Sequence, residues 1–212
     1  MPAVDFKLYL IGDRNQTVGR PLPEIIREAG RAGVSAVQFR EKDLSPRGQL
    51  ALASQIATVT KALGMKLLIN DRIDLCLALD AEGVHLPSSG FPIGVARRML
   101  GPKKWIGVSC HSREEVQRAE AEGADFAVLG PVYETPSKRR YGAPLGLDYF
   151  KKVREATSLP LFAIGGVAQD RLREVFAAGA DGVAMISTIV SAREVFQRSR
   201  ALLEEINRLA GA

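Results

Sequence analysis

Two cysteines, Cys76 and Cys110, are too few for a disulfide framework in a chain of 212 residues. A reduced, cytoplasmic protein is expected on that ground. No apolar run approaches the ~20 residues of a membrane helix, so no membrane partner is expected. The opening residues Met1-Pro2-Ala3-Val4-Asp5 lack a basic n-region and an apolar h-region, and no secretory signal is expected. The two histidines and two cysteines show no zinc-ligand spacing. Gly12-Asp13-Arg14-Asn15 is not G-x-G-x-x-G, which argues against a dinucleotide site. The net charge is +5, but the basic residues are scattered, and no basic run is interleaved with aromatics. Arg193, Arg198, Arg200 and Arg208 fall on helices whose other faces are apolar, so no nucleic-acid partner is expected.

The most informative stretch is Pro160–Ser187. A short apolar run, Leu161–Ile164, breaks at Gly165-Gly166. Asp170 to Ala178 then has helical spacing, with Leu172, Val175 and Phe176 on one face. Ala178-Gly179-Ala180-Asp181 stops it, and a second apolar run, Gly182–Ile186, ends on Ser187. This predicts a strand–helix–strand unit with both strands buried on two faces, as in a parallel sheet. Both strand ends carry small residues that leave backbone N–H groups exposed, which together make an anion socket. The alternative is that Gly165-Gly166 only makes a tight turn.

The same alternation runs through the chain. Strands are predicted at Lys7–Gly12, Ser35–Arg40, Lys66–Asn70, Gly83–Leu86, Trp105–Ser109 and Phe126–Leu129, ahead of the two just described. Helices are predicted at Leu22–Ala32, from Ser45-Pro46 to Leu63, at Ile73–Leu79 and Pro92–Leu100, from a capping box at Ser112 and Glu115, and at Ala192–Leu209. A polar loop covers Gly130–Gly146, and a further helix precedes strand seven. Eight strand–helix repeats predict an α/β protein, one (β/α)8 TIM-barrel domain over residues 1–212, with a doubly wound open sheet as the alternative.

In a barrel, functional residues belong at the C-terminal strand ends. Polar residues gather there. Gln38 and Arg40 share one face of strand two, and Lys42 continues the parity. Asn70-Asp71 ends strand three, and Ser109 ends strand five, with Cys110 and His111 beyond. Thr135, Ser137 and Lys138 follow strand six. Arg40, Lys42 and Lys138 at one mouth suit a doubly phosphorylated ligand. Asp71 is then their ion-pair partner or a ligand for Mg²⁺ brought in with the phosphates. The alternative is an internal ion-pair ladder of Arg40 and Lys42 with Glu41 and Asp71. His85 reads as a barrel histidine with satisfied nitrogens, and Cys76 as a packed helix residue.

Taken together, Gln38-x-Arg40-Glu41-Lys42, Asn70-Asp71-x-x-Asp74, Gly83-Val84-His85-Leu86, Gly107-Val108-Ser109, Gly130-Pro131-Val132, Thr135-x-Ser137-Lys138, Ala163-Ile164-Gly165-Gly166 and Ala184-Met185-Ile186-Ser187 resemble the thiamine phosphate synthase family. The likeness covers almost the whole chain. It implies a cytoplasmic transferase that couples hydroxymethylpyrimidine diphosphate to thiazole phosphate, with Mg²⁺ as cofactor and small phosphorylated molecules as partners; a homo-oligomer is left open. By the same likeness Gln38, Arg40, Lys42, Asn70 and Lys138 hold the diphosphate, and Asp71 binds the metal. Ser109 faces the pyrimidine, and Thr135 and Ser137 hold the thiazole phosphate with Gly166, Ile186 and Ser187. The catalytic set is Lys138, Ser109 and Arg40. Two positions depart from the family. After Gly83-Val84-His85-Leu86 the family pattern G-Q-x-D carries a second metal carboxylate, and this chain has Pro87-Ser88-Ser89-Gly90, closer to the thiazole tautomerase branch. The tautomerase, however, carries a catalytic histidine where this chain has Pro131. The alternatives to the synthase are therefore that isomerase or a non-catalytic phosphate-binding relative.

Overall fold

The computed structural model describes residues 4–135 and 143–210. Eight parallel strands close into a barrel in chain order: β1 (Leu8–Gly12), β2 (Ala36–Phe39), β3 (Lys66–Asn70), β4 (Gly83–Leu86), β5 (Trp105–Cys110), β6 (Phe126–Leu129), β7 (Leu161–Ile164) and β8 (Gly182–Met185). β8 pairs back onto β1, with Tyr9 opposite Ala184, and this closes the ring. The helices are α1 (Leu22–Arg31), α2 (Pro46–Leu63), α3 (Ile73–Leu79), α4 (Ile93–Leu100), α5 (Arg113–Ala121), α6 (Leu147–Arg154), α7 (Leu172–Ala177), α8 (Ser187–Val190) and α9 (Val195–Ala210). The expected TIM barrel is the fold found. No described helix is long and apolar enough to cross a membrane.

Strand alternation divides the apolar residues into two cores. Leu8, Leu10, Val37, Leu67 and Ile69 face outward beneath the helices. Tyr9, Ile11, Leu68, Phe126 and Phe162 face inward. Phe6 closes the lower end, and the rings of Phe6, Tyr9, Phe126 and Phe162 stack with centroids 5.4 to 5.6 Å apart. Each such buried ring contributes about 1.5–3 kcal/mol. Gly107 is what admits them: a β-carbon there would stand 2.3 Å from Phe126 Cζ and 2.7 Å from His85 Nδ1. These rings thus fill the lower interior of the barrel beneath its C-terminal mouth.

Three carboxylates tie the strand starts together. Glu82, Asp125 and Asp181 stand just before β4, β6 and β8 and accept the N–H groups of Leu67, Ile106 and Leu161 at 2.7, 2.7 and 2.8 Å. Asp125 is also paired with Arg97, and Asp181 with Arg154, both at 2.6 Å. At the opposite ends the helices begin on short polar caps. Ser45 Oγ accepts from Gly48 N–H at 3.2 Å with Pro46 in the first turn, and Ser112 Oγ accepts from Glu115 N–H at 3.2 Å.

The sequence reading departs from the structure mainly after β8. That strand stops at Met185, and Ser187 opens the one-turn α8, which the sequence pattern did not reveal. The last helix starts at Val195, not Ala192. The reason is tertiary. The Arg20 guanidinium takes up the carbonyls of Ala192 at 2.6 Å and of Val190 and Arg193 at 3.4 Å. Ser191 Oγ donates to Gln16 O at 2.8 Å. These contacts hold the segment in a turn between two helices. Before α7, Gln169–Arg171 form a single 3-10 turn.

Candidate functional site

The inward parity of each strand delivers a polar or small residue to the mouth. From β2 come Gln38 and, one pair further, Arg40, whose N–H still donates to Gly12 O at 3.1 Å. Gln38 is buried, and its Nε2 donates to the Tyr9 hydroxyl at 3.2 Å. Burial drives the Tyr9 phenol far above its ordinary pKa, so it stays neutral. Arg40 is partly exposed, and its Nη1 lies 3.4 Å from Asp13 Oδ2. Lys42 is exposed and has no ion-pair partner among the described residues.

The ion-pair ladder does not form. Glu41 turns to the other side of the strand, where it is buried, accepts Arg14 N–H at 2.7 Å and sits 3.2 Å from Arg14 Nε. Burial raises its pKa, with the Arg14 contacts opposing. Asp71 is exposed at φ +62°, held by its N–H to His85 O at 3.0 Å, and its carboxylate makes no ion pair among the described residues. Neighbouring Asp74 is unavailable to a ligand, because Arg72 grips it through Nε at 2.8 Å and Nη2 at 2.6 Å. Beside Asn70 the mouth therefore holds one unpaired cation, Lys42, and one unpaired carboxylate, Asp71, among the described residues.

His85 corrects the sequence reading. It is buried, but among the described residues only one nitrogen has a partner: Nε2 lies 3.0 Å from Ser109 Oγ, and Nδ1 has none. Burial first, then the Arg40 charge, lower its pKa to about 3, so the ring is neutral at physiological pH. His85 thus belongs to the mouth with Ser109. Cys110 and His111, adjacent in sequence, make no side-chain hydrogen bond with each other among the described residues. Burial pushes the Cys110 thiol up to about 12, and His111 Nδ1 lies 2.6 Å from Gly130 O. Cys76 packs as expected, its thiol raised to about 11 by burial.

On the opposite wall, Gly165 and Gly166 have φ of +94° and +67°, and neither has room for a side chain. A β-carbon would stand 2.5 Å from Pro131 Cβ at the first and 2.7 Å from Tyr133 Cβ at the second. The glycines thus make a turn and also admit the backbone after β6. The N–H groups of Gly166, Val167 and Ser187 have no acceptor among the described residues. Thr188 Oγ1 donates to Val167 O at 3.2 Å and ties the ends of β7 and β8 together. Ile186 packs against the inner core and Ser187 is exposed. Thr135 is half-buried at the edge of the described loop; Ser137 and Lys138 lie outside the described residues.

Two cavities flank the barrel. One of about 400 Å³ opens at the strand starts, between Phe6, Gly33 and Asn207. Another, of about 270 Å³, lies beside the mouth, where Gly90 and Ser109 share a wall with Phe91 and Arg118. The strand starts are the stability end of this fold, so the larger cavity is not the reaction site.

With unpaired backbone donors on one wall and the partly exposed Arg40 and exposed Lys42 on the other, the molecule is a (β/α)8 barrel whose mouth suits phosphorylated small molecules. A family model described as thiamine monophosphate synthase matches residues 8–189, and the chain belongs to that family. It is 48% identical over 203 residues to a putative thiamine-phosphate synthase of Geobacter sulfurreducens, covering 96% of this chain and 95% of that one. It is 41% identical to the thiamine-phosphate synthase of Syntrophomonas wolfei, over 93% of this chain and 95% of the relative. Among solved structures it resembles a thiamine phosphate pyrophosphorylase from Pyrococcus furiosus, with a TM-score of 0.87, 34% identity and 96% of both chains covered.

Proposed function

We propose that this protein joins hydroxymethylpyrimidine diphosphate to thiazole phosphate, leaving thiamine phosphate and releasing pyrophosphate. The observation that carries the reading is the division of the mouth: cationic side chains after β2, neutral backbone donors after β7 and β8. A diphosphate, whose charge grows as it leaves, fits the first. A phosphate that is only held fits the second.

Gln38, Arg40, Lys42 and Asn70, with Lys138, receive the diphosphate. Thr135, Ser137, Gly166, Ile186 and Ser187 receive the thiazole phosphate. The carbon–oxygen bond breaks first, and its electron pair departs with pyrophosphate. The pyrimidine methylene cation is then captured by the thiazole nitrogen lone pair. Fixed cations around the leaving group act most strongly as that charge develops. Ser109 faces the pyrimidine, its hydroxyl oriented by His85 at 3.0 Å. Because His85 is held neutral, the developing cation meets no imidazolium there.

Asp71 fits Mg²⁺ as a single carboxylate: it is exposed, and no cation among the described residues pairs with it. Among the described residues no group of three acidic, histidine or cysteine side chains could form a cage, so the metal would share its coordination with the diphosphate and water. Bound there, it would take up negative charge on the leaving group. A cytoplasmic setting agrees with Cys76 and Cys110, both buried free thiols.

The test is to mix both phosphorylated precursors with Mg²⁺ and look for thiamine phosphate by mass. Product is expected. No product, together with tight binding of either precursor, would instead make the chain a non-catalytic relative. The tautomerase reading is disfavoured by Pro131, which packs against Gly165 where that branch needs its histidine.

A further inference from the structure

Two consecutive peptides after β7 are clamped by their carbonyls. Gly165 O accepts from Tyr133 N–H at 3.0 Å, and Gly166 O accepts from Arg171 Nη1 at 2.8 Å. In a trans peptide the N–H points opposite to the C=O. The N–H of Gly166 is therefore aimed away from the Tyr133 clamp and that of Val167 away from the Arg171 clamp, and neither has an acceptor among the described residues. Successive N–H groups presented in this way form a nest for an anion.

Arg171 does more than hold one carbonyl. Its guanidinium carbon lies 4.3 Å from the centroid of the Tyr133 ring, so it also pins the segment that supplies the other clamp. The Tyr133 hydroxyl donates to Glu174 Oε1 at 2.5 Å, which engages the acid one turn along from Arg171. Arg171 makes no ion pair among the described residues. A guanidinium without an ion pair among the described residues thus stands directly behind the peptide that presents the Val167 N–H, next to the one that presents the Gly166 N–H.

We propose that Arg171 is a positioning residue of the single-phosphate subsite. It fixes the peptide between Gly166 and Val167 so that its N–H faces the phosphate, and it adds positive charge that the backbone alone lacks. Tyr133 and Glu174 hold it in place. The identity of the ligand as thiazole phosphate rests on the synthase reading; the anion site does not.

The experiment compares the native protein with Arg171→Ala, Arg171→Lys and Arg171→Gln. It measures inorganic phosphate binding by calorimetry, KM for each substrate, kcat, and Tm. Arg171→Ala should raise the phosphate Kd and the KM for thiazole phosphate about tenfold or more. KM for the pyrimidine diphosphate should stay within about twofold, since that ligand lies across the mouth and distant sites act independently. Arg171→Lys keeps the charge but lacks the planar fork, and Arg171→Gln keeps an N–H donor for the Gly166 carbonyl without charge, so each should recover only part of the binding. An unchanged thiazole phosphate KM with unchanged phosphate binding overturns the proposal. So does a parallel rise in both KM values with a lowered Tm, which would mark a merely structural role. Should Arg171→Ala not fold, the Lys and Gln variants decide by the same criteria. If the native protein makes no thiamine phosphate yet binds inorganic phosphate more tightly than the variants, the positioning role stands and the synthase reading falls. Native protein that binds no phosphate overturns the subsite itself.

Discussion

A β-carbon placed on Gly90 would stand 3.1 Å from Asp71 Oδ1. The position where the family pattern carries a second carboxylate therefore lies beside the first, although the side chain is missing here. Gly90 is not in the left-handed region, so an L-residue is conformationally allowed. The same β-carbon would lie 2.8 Å from Pro87 Cδ, and the turn closed by Gly90 N–H to Pro87 O at 2.9 Å must give way. Gly90→Asp is expected to lower the Mg²⁺ concentration for half-maximal activity, at a cost of about 1–3 kcal/mol in stability. The native protein should bind little Mg²⁺ alone and bind it clearly with pyrophosphate, as calorimetry would show. Full thiamine phosphate formation in excess chelator would remove the metal from Asp71.

Arg40 is tethered to Asp13 by a long 3.4 Å contact and keeps a third of its side chain exposed. Arg40→Ala should weaken pyrimidine diphosphate binding by roughly ten- to a hundredfold, with thiazole phosphate binding little changed. Equal losses for both substrates would contradict the division of the mouth.

His85 makes stability depend on pH. Its folded pKa, about 3, lies below its ordinary 6.5, so the unfolded chain binds the extra proton in that interval. Its contribution is complete above pH 6.5 and is lost as pH falls toward 3, at up to about 1.4 kcal/mol per pH unit. Urea unfolding at several pH values should show a smaller acid loss for His85→Asn than for the native protein. Parallel pH curves for the two proteins would mean that His85 takes up its proton normally in the fold.

Asp125 bears on the fold alone. Its carboxylate accepts from Ile106 N–H at 2.7 Å and pairs with Arg97 at 2.6 Å, almost fully buried. Asp125→Ala leaves the Ile106 N–H without its acceptor and Arg97 without its counter-charge, although the carbonyls of Gly101, Lys104 and Gly123 still accept from Arg97, and should cost about 3 kcal/mol. Activity well below the lowered Tm should persist, because the pair lies at the strand starts. Loss of activity in protein shown to be folded would contradict that separation.

Much of the architecture was legible because its signals are local. Apolar runs of strand length between helical periods sufficed to count eight strands, and the two-residue alternation put Gln38 and Arg40 on the inner face. Ser45-Pro46 and Ser112 marked helix starts through bonds that span three residues. The helix at Ser187–Val190 was not legible, since what ends it comes from Arg20 and Gln16 far away in the chain.

By itself the sequence determined the barrel, its mouth and the residue types that reach it, because strand parity and strand-end position are properties of neighbouring residues. Only the tertiary structure decided which charges meet there. Arg40 takes Asp13 rather than adjacent Glu41, His85 takes Ser109, Arg171 takes Gly166 O and the Tyr133 ring, and Gly90 comes to lie beside Asp71. Most of these partners come from different strands or loops, and their distances are fixed only when the closed ring brings the strand ends around one axis.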